Sequence, residues 1–230
     1  MTRYRWLLFD LDGTLLDYAA AEEAALRATL ADASLPPTDA VVADYQRINA
    51  GHWHAFERGE TTPARIRLER WQDLLRTHDA EIDADTASRL AERYVEHLGR
   101  GVQLVEGADD LLRELAHTHR LAYITNGFGD VQRPRLVASG LAEHTDVVVI
   151  SDEVGESKPQ PGIFDVAFER MGGPAKEDVL IVGDSLTSDI AGGAAYGIDT
   201  CWFNPFGLDR AVDVEPTYEI RTLAELVPLA

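Results

Sequence analysis

The stretch WLLFDLD, residues 6–12, places two carboxylates directly behind a run of four apolar residues. A continuous apolar run is typical of a strand in a parallel sheet that is covered on both faces. Helical patterns alternate with runs of this kind along the chain, which predicts an α/β fold with a doubly wound, Rossmann-like parallel sheet. The predicted strands are Trp6–Phe9, Leu121–Ile124, Val147–Ile150, Val179–Val182 and an edge strand at Thr217–Ile220, and the predicted helices are Ala108–Ala116, Pro161–Arg170, about Ser188–Tyr196 and Thr222–Leu229.

The interval between the first two runs is too long for a single crossover. A β-α-β crossover takes about 30 residues, whereas more than a hundred residues separate Asp10 from Leu121. The excess is helical in pattern, with breaks at Pro36-Pro37 and at Thr61-Thr62-Pro63. We therefore predict a helical cap domain over residues 18–103, inserted into an α/β core that comprises residues 1–17 and 104–230.

Polar residues follow each of the first four predicted strands. The carboxyl ends of parallel strands share one edge of an open sheet, and ligands bind at that edge. Side chains that are far apart in the sequence should therefore converge on one pocket. The residues concerned are Asp10 and Asp12 after the first strand, Thr125 and Asn126 after the second, Lys158 beyond the third, and Asp184 and Asp189 after the fourth.

Several carboxylates in one pocket require a positive charge, since each pair at about 4 Å costs on the order of 4 kcal/mol at an effective dielectric of about 20. Asp10, the backbone carbonyl of Asp12 and Asp184 are hard oxygen ligands, which suit a Mg²⁺ ion that keeps waters and binds a phosphate. Asp189 is a further metal-site candidate, as a holder of the metal or of Lys158, although it also fits an acid that complements a helix dipole. The Lys158 ammonium could steady both a nucleophile and a phosphoryl group.

The two aspartates of the opening stretch then have different predicted roles. Asp10 can attack phosphorus and form an aspartyl-phosphate, while Asp12 can protonate the leaving oxygen and later activate water. Thr14, Thr125 and Asn126 are assigned to the phosphate group, with Thr125 counted among the catalytic residues together with the aspartates and the lysine. The pattern thus predicts a Mg²⁺-dependent phosphomonoesterase.

The composition excludes several other classes of protein. The chain has 230 residues, of which 45% are hydrophobic and 27% charged, as in ordinary globular proteins. No apolar stretch approaches the roughly 20 residues that cross a bilayer, and the net charge of −19 argues against nucleic acid or an anionic membrane as a partner. The single cysteine, Cys201, lies in an apolar stretch and fits a buried thiol in a reducing compartment. We expect a cytoplasmic monomer or dimer that acts on a small phosphorylated metabolite.

Four motifs in order resemble those of the haloacid dehalogenase-like hydrolases. They are FDLDGT (residues 9–14), ITNG (124–127), ESKP (156–159) and VGDSLTSD (182–189), and the resemblance extends from Leu7 to about Asn204. It implies that the first aspartate is the nucleophile of a phosphatase, that Mg²⁺ is required and that a helical cap follows the first motif. Dehalogenase members lack the second aspartate, so Asp12 favours phosphate over halide chemistry.

A narrower resemblance concerns the pyrimidine 5′-nucleotidases. It rests on ITNGFGDVQRPRL (124–136), VISDEVGESKP (149–159), IFDVAFERMG (163–172) and the segment Asp44–Trp71 of the predicted cap. The segment Asp44–Trp71 contains five arginines and four acidic residues in an otherwise strongly acidic chain, which would attract an anion locally. Within it, Asn49, Trp53 and Arg67 are assigned to recognition of a base.

Two other functions stay open at the level of the sequence. The same stretches are similar to sugar-phosphate phosphatases of the superfamily, so the substrate could be a sugar phosphate or another small metabolite. The chain could also be a non-catalytic phosphate-binding regulatory module, although such a module has no need of a nucleophile and an acid together. The aromatic residues of the cap segment fit helix packing as well as base stacking, and its arginines fit a solvated face.

Overall fold

The computed structural model describes residues 3–78, 84–145, 147–210 and 212–230. The strands are β1 (Trp6–Phe9), β2 (Arg120–Thr125), β3 (Val148–Ile150), β4 (Val179–Gly183), β5 (Asp199–Phe203) and β6 (Tyr218–Ile220). The helices are α1 (Tyr18–Asp32), α2 (Asp39–Glu57), α3 (Pro63–Thr77), α4 (Ala84–Arg100), α5 (Ala108–Leu115), α6 (Gly129–Ala138), α7 (Ser151–Val154), α8 (Pro161–Arg170) and α9 (Ala191–Tyr196). Short 3₁₀ helices cover Leu141–Glu143, Lys176–Asp178 and Leu223–Leu226, and a π-helix covers Leu186–Ile190.

The six strands form one parallel sheet in the order β3-β2-β1-β4-β5-β6. The first strand is therefore central, and the chain winds outward from it in both directions, which confirms the predicted doubly wound α/β class. In the register of the sheet, Phe9 pairs with Tyr123 on one side and with Val182 on the other. The residues that follow these three positions consequently leave the sheet at the same edge.

The alternation of side chains along β1 supplies a hydrophobic core on each face of the sheet. Leu7 and Phe9 are buried on the face that packs against α5, and Trp6 and Leu8 are buried on the face that packs against α8. Both faces are covered, which explains why the strand is apolar at every position.

The chain divides into two compact units, residues 1–18 with 102–230 and residues 19–101. The predicted boundaries lie after residues 17 and 103. The second unit is helical and contains α2, α3 and α4, which pack in sequence order. Its interior holds three buried aromatic rings, Tyr45, Trp71 and Tyr94, whose centroids lie 5.0–5.6 Å apart. Among the helices that the structure describes, none is both long and apolar enough to cross a membrane.

Two predicted elements differ in detail from the structure, and two observed elements were not predicted. The helix predicted at about Ser188–Tyr196 is a π-helix at Leu186–Ile190 that continues into α9, and the predicted closing helix shortens to the 3₁₀ turn at Leu223–Leu226. The strand β5 and the helix α6 were not predicted. Both matter for the site, because β5 extends the sheet beside β4 and α6 follows the polar end of β2.

Candidate active site

The end of β1 delivers Asp10 into the protein interior beside β4. The backbone N–H of Asp10 donates to the carbonyl of Val182 at 2.9 Å, which continues the sheet ladder by one residue, and Asp10 is 5% exposed. The Thr14 hydroxyl donates to Oδ2 of Asp10 at 3.2 Å, and Thr14 is itself completely buried. Thr14, which was assigned to the substrate, therefore contacts the predicted nucleophile directly.

A tight turn after β1 brings the chain against the end of β4. The amides of Leu15 and Leu16 both donate to the carbonyl of Leu11, and Gly13 adopts a φ of +89°. A Cβ atom at Gly13 would lie 2.4 Å from Oδ2 of Asp184. Glycine at this position thus satisfies both the left-handed backbone and the close approach of the Asp184 carboxylate.

Three carboxylates meet at this edge of the sheet. Asp10, Asp184 and Asp189 each present an oxygen within 4.8 Å of the others, with Asp10 and Asp189 buried and Asp184 open to solvent. Asp189 lies within the π-helix at Leu186–Ile190 and is completely buried. A Cβ at Gly183 would overlap this side chain at 2.3 Å, so the glycine that ends β4 leaves the space for it.

Lys158 lies between two of these carboxylates. Its ammonium donates to Oδ1 of Asp10 at 2.6 Å, to Oδ1 of Asp189 at 2.6 Å and to the carbonyl of Ile124 at 3.0 Å. The residue is 1% exposed. The other oxygen of Asp189 accepts from the backbone N–H of Ser185 at 3.0 Å, so Asp189 fixes both the lysine and the turn after β4.

The buried charges shift the pKa values of the group. Burial raises the pKa of Asp10 to about 7, against the opposing effect of the Lys158 ammonium. Although solvent reaches Asp184, the protein around its carboxyl group desolvates it and raises its pKa well above the ordinary value, and the charges of Asp10 and Asp189 raise it further. Burial by itself would lower the pKa of Lys158, but the charges of the two carboxylates outweigh burial and raise it. One ammonium therefore faces more negative charge than it can neutralise.

Asn126 connects the end of β2 with the segment that carries the lysine. Its amide group donates to the backbone carbonyl of Lys158 at 2.7 Å and accepts from the backbone N–H of Lys158 at 2.8 Å. Both ends of the Asn126 side chain are engaged in this pair, which holds the backbone of the lysine in place. The substrate-binding role assigned to Asn126 stays a prediction, and the hydrogen bonds that the structure provides are those of a positioning residue.

Asp12 lies outside the group of three carboxylates and is held by helix α6. Its Oδ2 accepts from Nε2 of Gln132 at 2.6 Å, and its Oδ1 accepts from Nη1 of Arg135 at 2.5 Å. Gln132 also donates to the Thr125 hydroxyl at 3.1 Å. The Asp12 carboxylate is thus engaged by α6, although its charge contributes to the raised pKa of Asp10. That the Asp12 carbonyl contacts a metal stays a prediction. Gln132 and Arg135 were not identified as site residues, although both lie in the quoted stretch 124–136.

The cap residues assigned to base recognition lie in the helical unit in different environments. Asn49 is 2% exposed, and its side chain donates to Glu22 at 2.7 Å and accepts from Arg70 at 3.0 Å. Trp53 is half-buried and packs edge-on against Phe56 at 5.8 Å between ring centroids, and Arg67 is also half-buried. Asn49 is accordingly part of the packing of its own unit, and the roles of all three in substrate binding stay predictions.

Comparison with known proteins gives one consistent family. A family model described as haloacid dehalogenase-like hydrolase matches residues 4–197. The chain is 36% identical to the pyrimidine 5′-nucleotidase PynA of Streptococcus pneumoniae, with 97% of this chain and 94% of that protein covered. It is 32% identical to the pyrimidine 5′-nucleotidase YjjG of Escherichia coli, with 99% and 98% covered. A crystal structure of the HAD hydrolase YfnB of Bacillus subtilis bound to magnesium, described as revealing interdomain movement, aligns with a TM-score of 0.93 at 41% identity and covers 99% of each chain.

Proposed function

The chain belongs to the haloacid dehalogenase-like hydrolases, and we propose that it is a Mg²⁺-dependent phosphomonoesterase that works through an aspartyl-phosphate on Asp10. The observation that carries the proposal is the convergence of Asp10, Asp184, Asp189 and Lys158 at the edge of the sheet, with Asp12 two residues beyond Asp10. A binding module would gain nothing from a buried nucleophile next to a fixed acid.

The donor set fits a divalent cation. In the described part of the chain, three carboxylates within 4.8 Å of one another face the Lys158 ammonium, and the ligand atoms that they offer are oxygens. Asp10, Asp184 and the backbone carbonyl of Asp12 would hold Mg²⁺, while Asp189 holds Lys158 and the Ser185 amide. When bound, Mg²⁺ would neutralise the excess negative charge of this site and of a phosphoryl group.

The side chains divide the reaction between them. A carboxylate oxygen of Asp10 attacks phosphorus and forms a P–O bond while the bond from phosphorus to the ester oxygen breaks, and that oxygen takes a proton from Asp12. In the second half, Asp12 takes a proton from a water molecule, which attacks phosphorus and releases Asp10 and inorganic phosphate. Lys158 keeps Asp10 in place and adds positive charge near the phosphoryl oxygens.

The proposed substrates are pyrimidine nucleoside monophosphates. This step rests on PynA and YjjG, two relatives aligned over nearly their full length that are both named pyrimidine 5′-nucleotidases. The strand-edge residues cannot select the substrate, because they contact only the phosphate and the bond that breaks.

A substrate panel tests this assignment. With Mg²⁺ present, kcat/KM for UMP, dUMP and dTMP should exceed that for AMP and hexose phosphates by about tenfold or more, since a site that hydrogen-bonds one base discriminates against groups that lack the matching donors and acceptors. A preference for hexose phosphates would contradict the nucleotidase assignment but would still support a phosphomonoesterase. No turnover of any ester, including p-nitrophenyl phosphate, would favour the regulatory module.

Mg²⁺ should raise the Tm of the protein more at pH 8 than at pH 5.5. The pKa of Asp10 is raised from 3.8 to about 7 in the folded protein, so the metal-free fold holds this proton more tightly than the unfolded chain and loses stability as pH rises between those values. Metal binding needs the ionised carboxylates, so the affinity for Mg²⁺ rises with pH over the same range. At about ten times Kd, binding contributes about 1.4 kcal/mol, a Tm rise of about 3–5 °C at pH 8.

The control for this measurement replaces one ligand and, separately, one surface carboxylate. Asp184→Asn should remove most of the shift, whereas Asp110→Asn, at an exposed position of α5, should retain it. An equal shift at both pH values, or a full shift in Asp184→Asn, would contradict the proposed ligand set.

A further inference from the structure

Both carboxylate oxygens of Asp12 accept hydrogen bonds from side chains on one face of α6. Gln132 and Arg135 are three positions apart, so their side chains project from the same side of the helix. Gln132 donates to Oδ2 of Asp12 at 2.6 Å and Arg135 donates to Oδ1 at 2.5 Å. Arg135 also donates to Oε1 of Gln132 at 3.2 Å, which joins the two donors to each other. We call Gln132 and Arg135 the Asp12 clamp.

The clamp is built in a place where polar groups are costly. The Arg135 side chain is completely buried and Gln132 is 1% exposed, whereas 26% of the Asp12 side chain reaches solvent. Among the described residues, Nε and Nη2 of Arg135 have no hydrogen-bond partner. The other buried side chains on this face include Val131 and Leu136, and an apolar residue at position 135 would serve packing without the cost of a buried guanidinium.

The surrounding backbone makes room for the clamp. A Cβ atom at Gly127, directly after the end of β2, would lie 2.5 Å from Nε2 of Gln132. The same Nε2 atom donates to the hydroxyl of Thr125, so Gln132 is fixed by the strand as well as by Asp12. Gln132 thereby fixes the Asp12 carboxylate relative to β2 as well as to β1.

We propose that Gln132 and Arg135 are positioning residues that hold Asp12 for proton transfer to the leaving oxygen. The inference rests on the proposed function, in which Asp12 is the proton donor. A general acid must lie within about 2.6–3.2 Å of the atom it protonates, and a carboxylate held on both oxygens has one orientation instead of several. The solvent-exposed part of Asp12 is then the part that faces an incoming ester.

The dependence of the rate on the leaving group tests this role. The value of kcat/KM covers the steps up to departure of the leaving group. A poor leaving group such as an alkoxide needs the proton, whereas p-nitrophenolate departs with little assistance. In Arg135→Met and Gln132→Leu, kcat/KM for alkyl phosphates should fall by about 10–100-fold and that for p-nitrophenyl phosphate by about threefold or less, a part of the 10²–10⁴-fold that general acid catalysis supplies.

Two comparison variants and one fallback make the outcome decisive. Arg133→Met removes a half-exposed arginine of the same helix that pairs with Glu153, and it should leave the leaving-group dependence unchanged. In Asp12→Ala, the loss of kcat/KM should depend on the leaving group in the same direction and more strongly. If Arg135→Met fails to fold, Gln132→Leu carries the test, since leucine matches the glutamine closely in size.

The possible results separate the two hypotheses. An equal loss for all esters in the clamp variants would assign Gln132 and Arg135 to folding alone and overturn the inference, as would no loss at all. A flat leaving-group dependence in Asp12→Ala would instead remove Asp12 as the acid, which is a failure of the proposed function. If the dependence of kcat/KM on the leaving group steepens in Asp12→Ala but is unchanged in Arg135→Met and Gln132→Leu, only the positioning role of the clamp is rejected.

Discussion

Asp10→Asn is expected to lower kcat for p-nitrophenyl phosphate by at least about 10⁴-fold, because loss of a nucleophile removes the covalent route altogether. Asparagine has the shape of aspartate and can still accept from the Lys158 ammonium and from Thr14, both of which contact Asp10. Lys158 also retains its ion pair with Asp189. The fold should therefore survive while the attacking oxygen is lost.

The measurement combines steady-state turnover with detection of the covalent intermediate. Acid-quenched protein that has been mixed with a ³²P-labelled ester should carry label in the wild type and none in Asp10→Asn. The matched control is Asp110→Asn, the same substitution at an exposed position of the same unit, which should retain full activity. Turnover within tenfold of the wild type in Asp10→Asn would mean that water, not Asp10, attacks phosphorus.

The fold was predictable where local pattern and burial agree. The residues of β1 and β4 are apolar at every position because the sheet is covered on both faces, and each strand ends at a turn or a charge. Strand β5 was missed because it opens with Asp199 and Thr200, whose partners are distant in sequence. Asp199 pairs with Arg3 at 2.9 Å, and the Thr200 amide donates to Thr217 at 3.1 Å.

Helix α6 was missed for a reason that also hid part of the site. Two of its four buried residues are Gln132 and Arg135, and Pro134 lies inside the helix, so the apolar period that identifies a helix is broken. Those polar residues are buried because their partner, Asp12, lies 120 and 123 positions earlier in the chain. Only the assembled sheet brings the two segments together.

The convergence of the carboxylates followed from topology, but the details of contact did not. The rule that parallel strands end at one edge of the sheet predicts that Asp10, Lys158 and the aspartates after β4 lie together. It gave no information about which side chains would bond to one another. Asn126 bonds to the backbone of Lys158 and Asn49 bonds within the helical unit, and neither arrangement has a signature in the sequence.

Lys158→Met is expected to lower both activity and stability. Lys158 is the one cation bonded to Asp10 and Asp189 among the described residues, so its removal leaves buried carboxylates facing one another. The pKa of the folded lysine is raised above its ordinary 10.5, so its charge stabilises the fold at all pH values below that value. Breaking a buried ion pair costs about 3–5 kcal/mol, and kcat should fall by about 10²–10³-fold with the loss of one preorganised donor.

The dependence of this loss on pH and Mg²⁺ identifies its cause. The free energy of unfolding, measured by urea titration without metal, should fall more at pH 8 than at pH 5.5. The pKa of Asp10 is about 7 even with the Lys158 ammonium beside it, so Asp10 is protonated at the lower pH and the repulsion between the carboxylates is relieved there. Mg²⁺ should restore part of the stability, since it neutralises the same carboxylates. Lys176→Met replaces the only other lysine of the chain, an exposed one whose contacts are with Tyr196. Any stability that this variant loses should depend on neither pH nor Mg²⁺. A loss of stability that ignores both pH and Mg²⁺ would point to a packing defect, and the electrostatic role of Lys158 at this site would then have to be abandoned.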